Sequence, residues 1–303
     1  MYKKIVTIVS LISIFSSCKK DEGTGNNASG NGGPQITATA FINSHTPGTK
    51  QNNYMLDSGI IKTPTTAANL VLDYSAVTQG ANWADTFKTP NNPASFPSAT
   101  YMRGVNQQII GQTIALNQYY QISTNSWTNL GNYIGTPVNI AIPTIGSIIL
   151  PVQAAKQSPA LVLANFPIVY NDSFNLSTTN AINSNVTASI TVSGFPVNLN
   201  NEPLTTTLSS TIKSKNIAYG TLQLKGYIGT MQVVIQKYTV TEKTDFAFSN
   251  ALYNLALNSI LSSNFGITNG QTITYTTYRF WAVDKGLVMT LNANGTANVT
   301  VGL

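Results

Sequence analysis

Few side chains in this chain have the chemistry of a catalyst. Its 303 residues hold one cysteine, one histidine and ten acidic groups. The histidine, His45, lies in a His-Thr-Pro-Gly stretch. A Ser-His-Asp triad would have to use it, but no Gly-x-Ser-x-Gly turn accompanies it, so a surface histidine in a loop is expected. No His-Glu-x-x-His pair and no phosphate-binding glycine loop is present. Zinc seldom accepts carboxylates alone, and no Asp-x-Asp-x-Asp calcium loop occurs. Neither a metal nor another cofactor is expected.

The carboxylates past residue 34 are Asp57, Asp73, Asp85, Asp172, Glu202, Glu242, Asp245 and Asp284. Glycoside hydrolysis needs only two of them at a set separation, so a hydrolase stays open as the third and least favoured function. Most sit beside Asn, Ser, Gly or Pro, where Asp serves turns and caps. Asn171-Asp172-Ser173 and Asp284-Lys285-Gly286 read as turns, and structural roles are preferred throughout.

Binding chemistry is richest in Tyr275-Thr276-Thr277-Tyr278-Arg279-Phe280-Trp281-Ala282. Strand side chains alternate faces. Tyr275, Thr277, Arg279 and Trp281 share one face, and Tyr278, Phe280 and Ala282 share the other, which reads as core. Tyr275, Arg279 and Trp281 are the candidate platform for a sugar or another flat ligand. Stacking of Arg279 on Trp281 for stability alone competes with that reading.

The elements that must position these residues are mostly strands. Thirty-four Asn and 39 Thr favour turns and strands respectively, and charged residues make up only 9%. Strand-like runs cover residues 35–43, 69–74, 112–124, 160–170, 186–199, 204–212, 221–224, 231–242, 272–283 and 287–291. Residues 137–153 read as an apolar hairpin with Gly146 near its turn. In 204–212, Leu204, Leu208 and Ile212 share a face with Thr206 and Ser210. Phe248, Leu252, Leu255 and Ile260 instead recur at helical spacing. One helix is expected near 246–263, capped by Asp245 and ended by Gly266. The expected class is mainly β, with antiparallel sheets in a sandwich or half-barrel. No fixed repeat period appears, which argues against a propeller or solenoid.

The N-terminus has a different logic. Lys3 and Lys4 precede an uncharged, mostly apolar run from Ile5 to Phe15, then Ser16, Ser17 and the lone Cys18. That order is an export signal, and the run is shorter than the ~20 residues a spanning helix needs. Phe15-Ser16-Ser17-Cys18 resembles the bacterial lipobox, departing from it at Phe15, where Leu is usual. The resemblance implies cleavage after residue 17 and acylation of Cys18, and two or more acyl chains anchor a protein stably. Cys18-Lys19-Lys20-Asp21-Glu22 resembles the export tag of Bacteroidetes-type surface lipoproteins, with Lys20, Asp21 and Glu22 as the tag. Residues 18–34 continue in Gly, Asn, Thr and Ser as a flexible tether, leaving 35–303 as one β-rich extracytoplasmic domain.

A looser resemblance runs through the rest. Tyr219-Gly220-Thr221-Leu222, Gly229-Thr230, Val233-Val234, Lys237, Asp245, Tyr278-Arg279-Phe280-Trp281-Ala282 and Gly286 look like a pattern in uncharacterised secreted Bacteroidetes proteins. Weaker echoes stand at Leu72-Asp73-Tyr74-Ser75, Asn165-Phe166-Pro167 and Tyr170. It implies an exported β domain and no particular activity.

The formal charge of +6 includes Lys3 and Lys4, which leave with the signal. The rest is spread thinly, so nucleic acid is not an expected partner. The expected function is non-enzymatic binding or scaffolding at the outer membrane, with the cell-surface exposure that the tag resemblance implies and a glycan, a lipid or an envelope complex as partner. The alternative is a hydrophobic-ligand carrier, with Ile140, Ile142, Ile145, Ile148, Ile149 and Leu150 and the helix near Phe248 enclosing an apolar cavity.

Overall fold

A computed structural model describes residues 33–56, 61–109, 112–142, 144–192, 195–254, 257, 261–262 and 266–301. Cys18, Lys20, Asp21, Glu22 and Asp57 lie outside the described residues, so the anchor and export-tag expectations do too.

Past an isolated bridge between Ile36 and Ile168, the chain forms a short helix, α1 (Ala38–Ser44). The strands then run in order as β1 (Lys50–Leu56), β2 (Ala67–Tyr74), β3 (Gln79–Thr86), β4 (Tyr101–Ile109) and β5 (Gln112–Ile122). Next come β6 (Ser126–Ile134), β7 (Val138–Ile142), β8 (Gly146–Leu150), β9 (Gln153–Asn165) and β10 (Ser173–Val192). The last are β11 (Phe195–Leu224), β12 (Met231–Phe248), β13 (Gln271–Ala282), β14 (Gly286–Asn292) and β15 (Ala297–Val301).

These strands form one large sheet in the order β3-β1-β15-β14-β13-β12-β11-β10-β9-β6-β5-β4. Neighbours on that path are antiparallel. The β7–β8 hairpin lies beside β10, and β2 runs parallel along the last part of β11. The path curls until its ends meet. Lys88, just past β3, exchanges backbone hydrogen bonds of 2.8 and 2.9 Å with Met102 in β4. The fold is mainly β, a large antiparallel sheet nearly closed into a barrel.

The long strands need bends to do this. Straight, the 30 residues of β11 would reach roughly 100 Å at ~3.3 Å per residue. Register shifts interrupt its pairing at Asn216/Ala218 and that of β10 at Val186/Ala188, and such bulges bend a strand and increase its twist.

Cores form on both faces. Leu204, Leu208, Ser210 and Ile212 are buried on the face expected for them. At one end of the long strands, Ile140, Ile142, Ile148 and Leu150 of the hairpin join Phe248, Leu257 and Leu261 in a single cluster. At the other end, Tyr278, Phe280 and Ala282 of β13 are buried with Leu222, Val233, Ile235 and Leu56, as their alternation implies.

Three local expectations change. Residues 35–43 are not a strand, because Ala38 and Phe41, three apart, make a helical stripe that α1 buries. Seven residues make a marginal helix alone. Here Phe41 packs edge-on against Trp127 and Trp281 at 4.8 and 5.3 Å, burial worth about 2–3 kcal/mol. Asp245 caps no helix either, because β12 continues to Phe248 and pairs Asp245 with Thr207. A 3₁₀ turn (Ala251–Tyr253) begins the helical segment instead, and Asn254 Oδ1 accepts from the Phe248 amide at 2.8 Å. Gly266 does sit at the end, with φ 65°, where its amide and that of Ile267 return to Ser262 and Leu261. His45, finally, is buried, since α1 turns it inward. Among the described residues no helix is long and apolar enough to cross a membrane.

Candidate functional site

The strip β12-β13-β14-β15-β1-β3 turns the face opposite Phe280 towards β9-β6-β5-β4. The two walls do not meet along their whole length, and the space between them is a cavity of about 610 Å³. That lies within the ~300–1,000 Å³ of ordinary ligand sites. Tyr238, Tyr275, Thr277, Arg279, Asn292 and Asn53 line the first wall, with Trp83 and Asp85 from β3. Tyr101, Arg103, Gln118, Tyr120, Trp127, Asn129 and Leu163 line the second, while His45 and Phe87 close one end.

Alternation on β13 explains the first wall. Residues 275, 277 and 279 point one way and 278, 280 and 282 the other, so one strand serves the cavity and a core at once. Tyr275 and Arg279 are both half-buried on the cavity wall. Trp281 is on the same face but does not reach the cavity. It is fully buried against Phe41, Phe166 and Trp127, and its Nε1 donates to Gln236 Oε1 at 3.1 Å. The three residues of the expected platform thus divide into two that line the space and one beneath α1.

The two arginines differ in their partners. Arg103 Nη1 lies 3.6 Å from Asp85 Oδ2, and its Nε donates to Gln118 Oε1 at 3.3 Å. Asp85 also accepts from Asn53 Nδ2 at 3.1 Å. Arg279 Nη1 donates to the Leu163 carbonyl at 2.7 Å, and its guanidinium lies 3.7 Å from the centre of the Tyr238 ring. The expected stacking on Trp281 is replaced by Tyr238, with Trp127 further away at 6.0 Å.

Burial shapes the titrating groups. It lowers the pKa of Arg279 and pushes Tyr238 up to about 12. It raises Tyr275 well above the ordinary phenol range, helped by the charge of Glu242, to which the Tyr275 hydroxyl donates at 3.4 Å. His45 falls to about 3, chiefly through burial, with Arg103 adding in the same direction against a Phe41 carbonyl contact at 2.9 Å. At neutral pH His45 is an uncharged ring stacked 4.6 Å from Phe87.

Of the carboxylates, Asp85 is the one that lines the cavity among the described residues. Asp73 accepts from the Ser75 amide and hydroxyl, which lower its pKa. Asp245 pairs with Lys243 at 2.7 Å, and Asp284 occupies a turn with φ 58°. Burial raises Asp172. No three His, Cys, Asp or Glu side chains converge among the described residues. The hairpin isoleucines, offered as the lining of an apolar carrier, are packed with the helical segment.

Sequence reasoning found β13 and missed the opposite wall. From that wall Arg103, Gln118 and Tyr120 were not singled out, nor was Trp83 on β3, while Asp85 stood only among the candidate carboxylates. Their one available signal was the density of aromatic and amide residues in 79–133. The chain matches no family model, no curated protein and no solved structure.

Proposed function

We propose that the protein is a surface-anchored lipoprotein that binds a ligand in the cavity between β13 and β4–β6, without chemical turnover. The reading joins the export signal and Cys18 to a space of ligand size. The observation that carries it is the lining: aromatic rings from both walls interleaved with Asn, Gln and Arg side chains. Flat rings offer stacking surface at small entropic cost, and amides fix the orientation of hydroxyls. Asp85 is engaged by Arg103 and Asn53, which suits a positioning group better than a free acid or base.

Full-length protein in detergent, titrated against neutral glycans, acidic glycans and lipids, should retain members of at least one class. Thr277 faces the cavity, so Thr277→Trp should fill it and abolish retention with little change in melting temperature. Unchanged binding by that variant would place the ligand elsewhere and sink the reading.

A further inference from the structure

Arg279 has unused capacity. Its fork is fixed by the Leu163 carbonyl on one nitrogen and by the Tyr238 ring under its plane. Among the described residues no carboxylate lies within 4 Å of it, since the ion pairs present are Arg103–Asp85 and Lys243–Asp245. Glu242, buried on β12, accepts from the Tyr275 hydroxyl at 3.4 Å. A guanidinium has five donors; the Leu163 carbonyl takes one and Tyr238 also engages the group, which leaves donors for a ligand. A partly desolvated cation held in one orientation without a counter-ion is costly. It is also the arrangement that receives a carboxylate in a two-bond fork.

The rest of the lining narrows the class. The lining holds two arginines and one aspartate, so it carries one unit of positive charge and suits a monoanion. The neighbouring surfaces are rings, with Tyr101 and Tyr120 stacked at 4.9 Å and Trp127 donating to Tyr101. Amides of Asn129 and Gln118 stand among them. Rings beside amides match a saccharide, which shows an apolar face and a hydroxyl edge. We infer that the cavity takes an acidic saccharide, its carboxylate paired with Arg279 and its ring against the aromatic wall. This rests on the proposed binding role of the cavity.

The test compares a uronic-acid disaccharide with the same disaccharide reduced to the neutral alcohol, on full-length protein in detergent. The acid should bind more tightly by roughly tenfold to a hundredfold, the worth of a charged hydrogen-bonded pair. Arg279→Gln should level the two, and Arg279→Lys should recover part of the preference because it keeps charge and loses the fork. Should Arg279→Gln unfold, salt serves in its place: raising ionic strength on the unmodified protein should weaken the acid and spare the neutral sugar. Equal binding of acid and neutral forms, both lost in Thr277→Trp, would overturn the acidic class and leave the cavity's role intact. No binding of either sugar would overturn the saccharide assignment, and the lipid arm of the wider panel would then decide the cavity's role separately.

Discussion

His45 illustrates what a sequence withholds at the scale of a residue. Its His-Thr-Pro-Gly context does form a turn, but α1 ends just before it and carries the ring inward between Phe41 and Phe87. That burial has a pH consequence. An unfolded histidine titrates near 6.5, and the folded one near 3. Between those values the unfolded chain binds more protons, so acid favours unfolding. The stability from neutral His45 is complete above pH 6.5 and is lost as pH falls towards 3. From pH 7.5 to 4.5 the loss is about 2–3 kcal/mol at ~1.4 kcal/mol per unit. Urea unfolding of the protein and of His45→Gln should therefore converge as pH drops. Parallel lines for the two would mean that the ring is charged in the folded state. Trp281 makes a related point. Alternation placed it on the face of Tyr275 and Arg279, but only α1, read from sequence as a strand, closes it off from the cavity.

At the scale of elements, the legible strands were those with one apolar face. β12, β13 and β14 bury apolar residues at alternate positions, and period-2 patterning exposes them. β1, β3, β4, β6 and β15 were not read as strands. β3 is Gln-Gly-Ala-Asn-Trp-Ala-Asp-Thr, and its Trp83 and Asp85 face the cavity rather than a core. A wall that faces a polar ligand space has no need of an apolar stripe, so the same property that makes the site hides its strands. β2 was legible as a short apolar run, but its parallel seat on β11 was not. That seat depends on Gly220, where a Cβ would stand 2.0 Å from the Leu70 carbonyl oxygen. No side-chain rotation relieves a clash with backbone. Gly220→Ala should detach β2 and uncover Leu70 and Leu72, which pack on the cluster beneath. Amide exchange should rise in residues 67–74 by far more than in β13. Protection unchanged in β2 would show that the sheet can shift to admit the methyl group.

For the whole molecule, position in the cell determines which ligands the cavity can meet, and the proposed function assigns that position to residues that precede the described fold. In that proposal the charged start, the short apolar run and the lone Cys18 serve as the address. An acylated cysteine followed by a tether to residue 34 would hold the barrel near a membrane without inserting any strand. Each buried CH₂ of an acyl chain contributes about 0.8 kcal/mol, so two or more chains make the attachment stable. Losing the only thiol should then release the protein altogether. Cys18→Ala is expected to shift the protein from the membrane fraction to a soluble or unprocessed pool, read by fractionation and intact mass. Replacing Lys20, Asp21 and Glu22 together by Ala should keep the lipid mass but shield the barrel from protease added to whole cells. The two variants separate attachment from exposure. Membrane partitioning and lipid mass retained in Cys18→Ala would refute the anchor, and unchanged protease access in the triple variant would reduce those three residues to tether. If both hold, the cavity meets the outside medium, where a saccharide bearing a carboxylate can reach Arg279 without crossing a membrane.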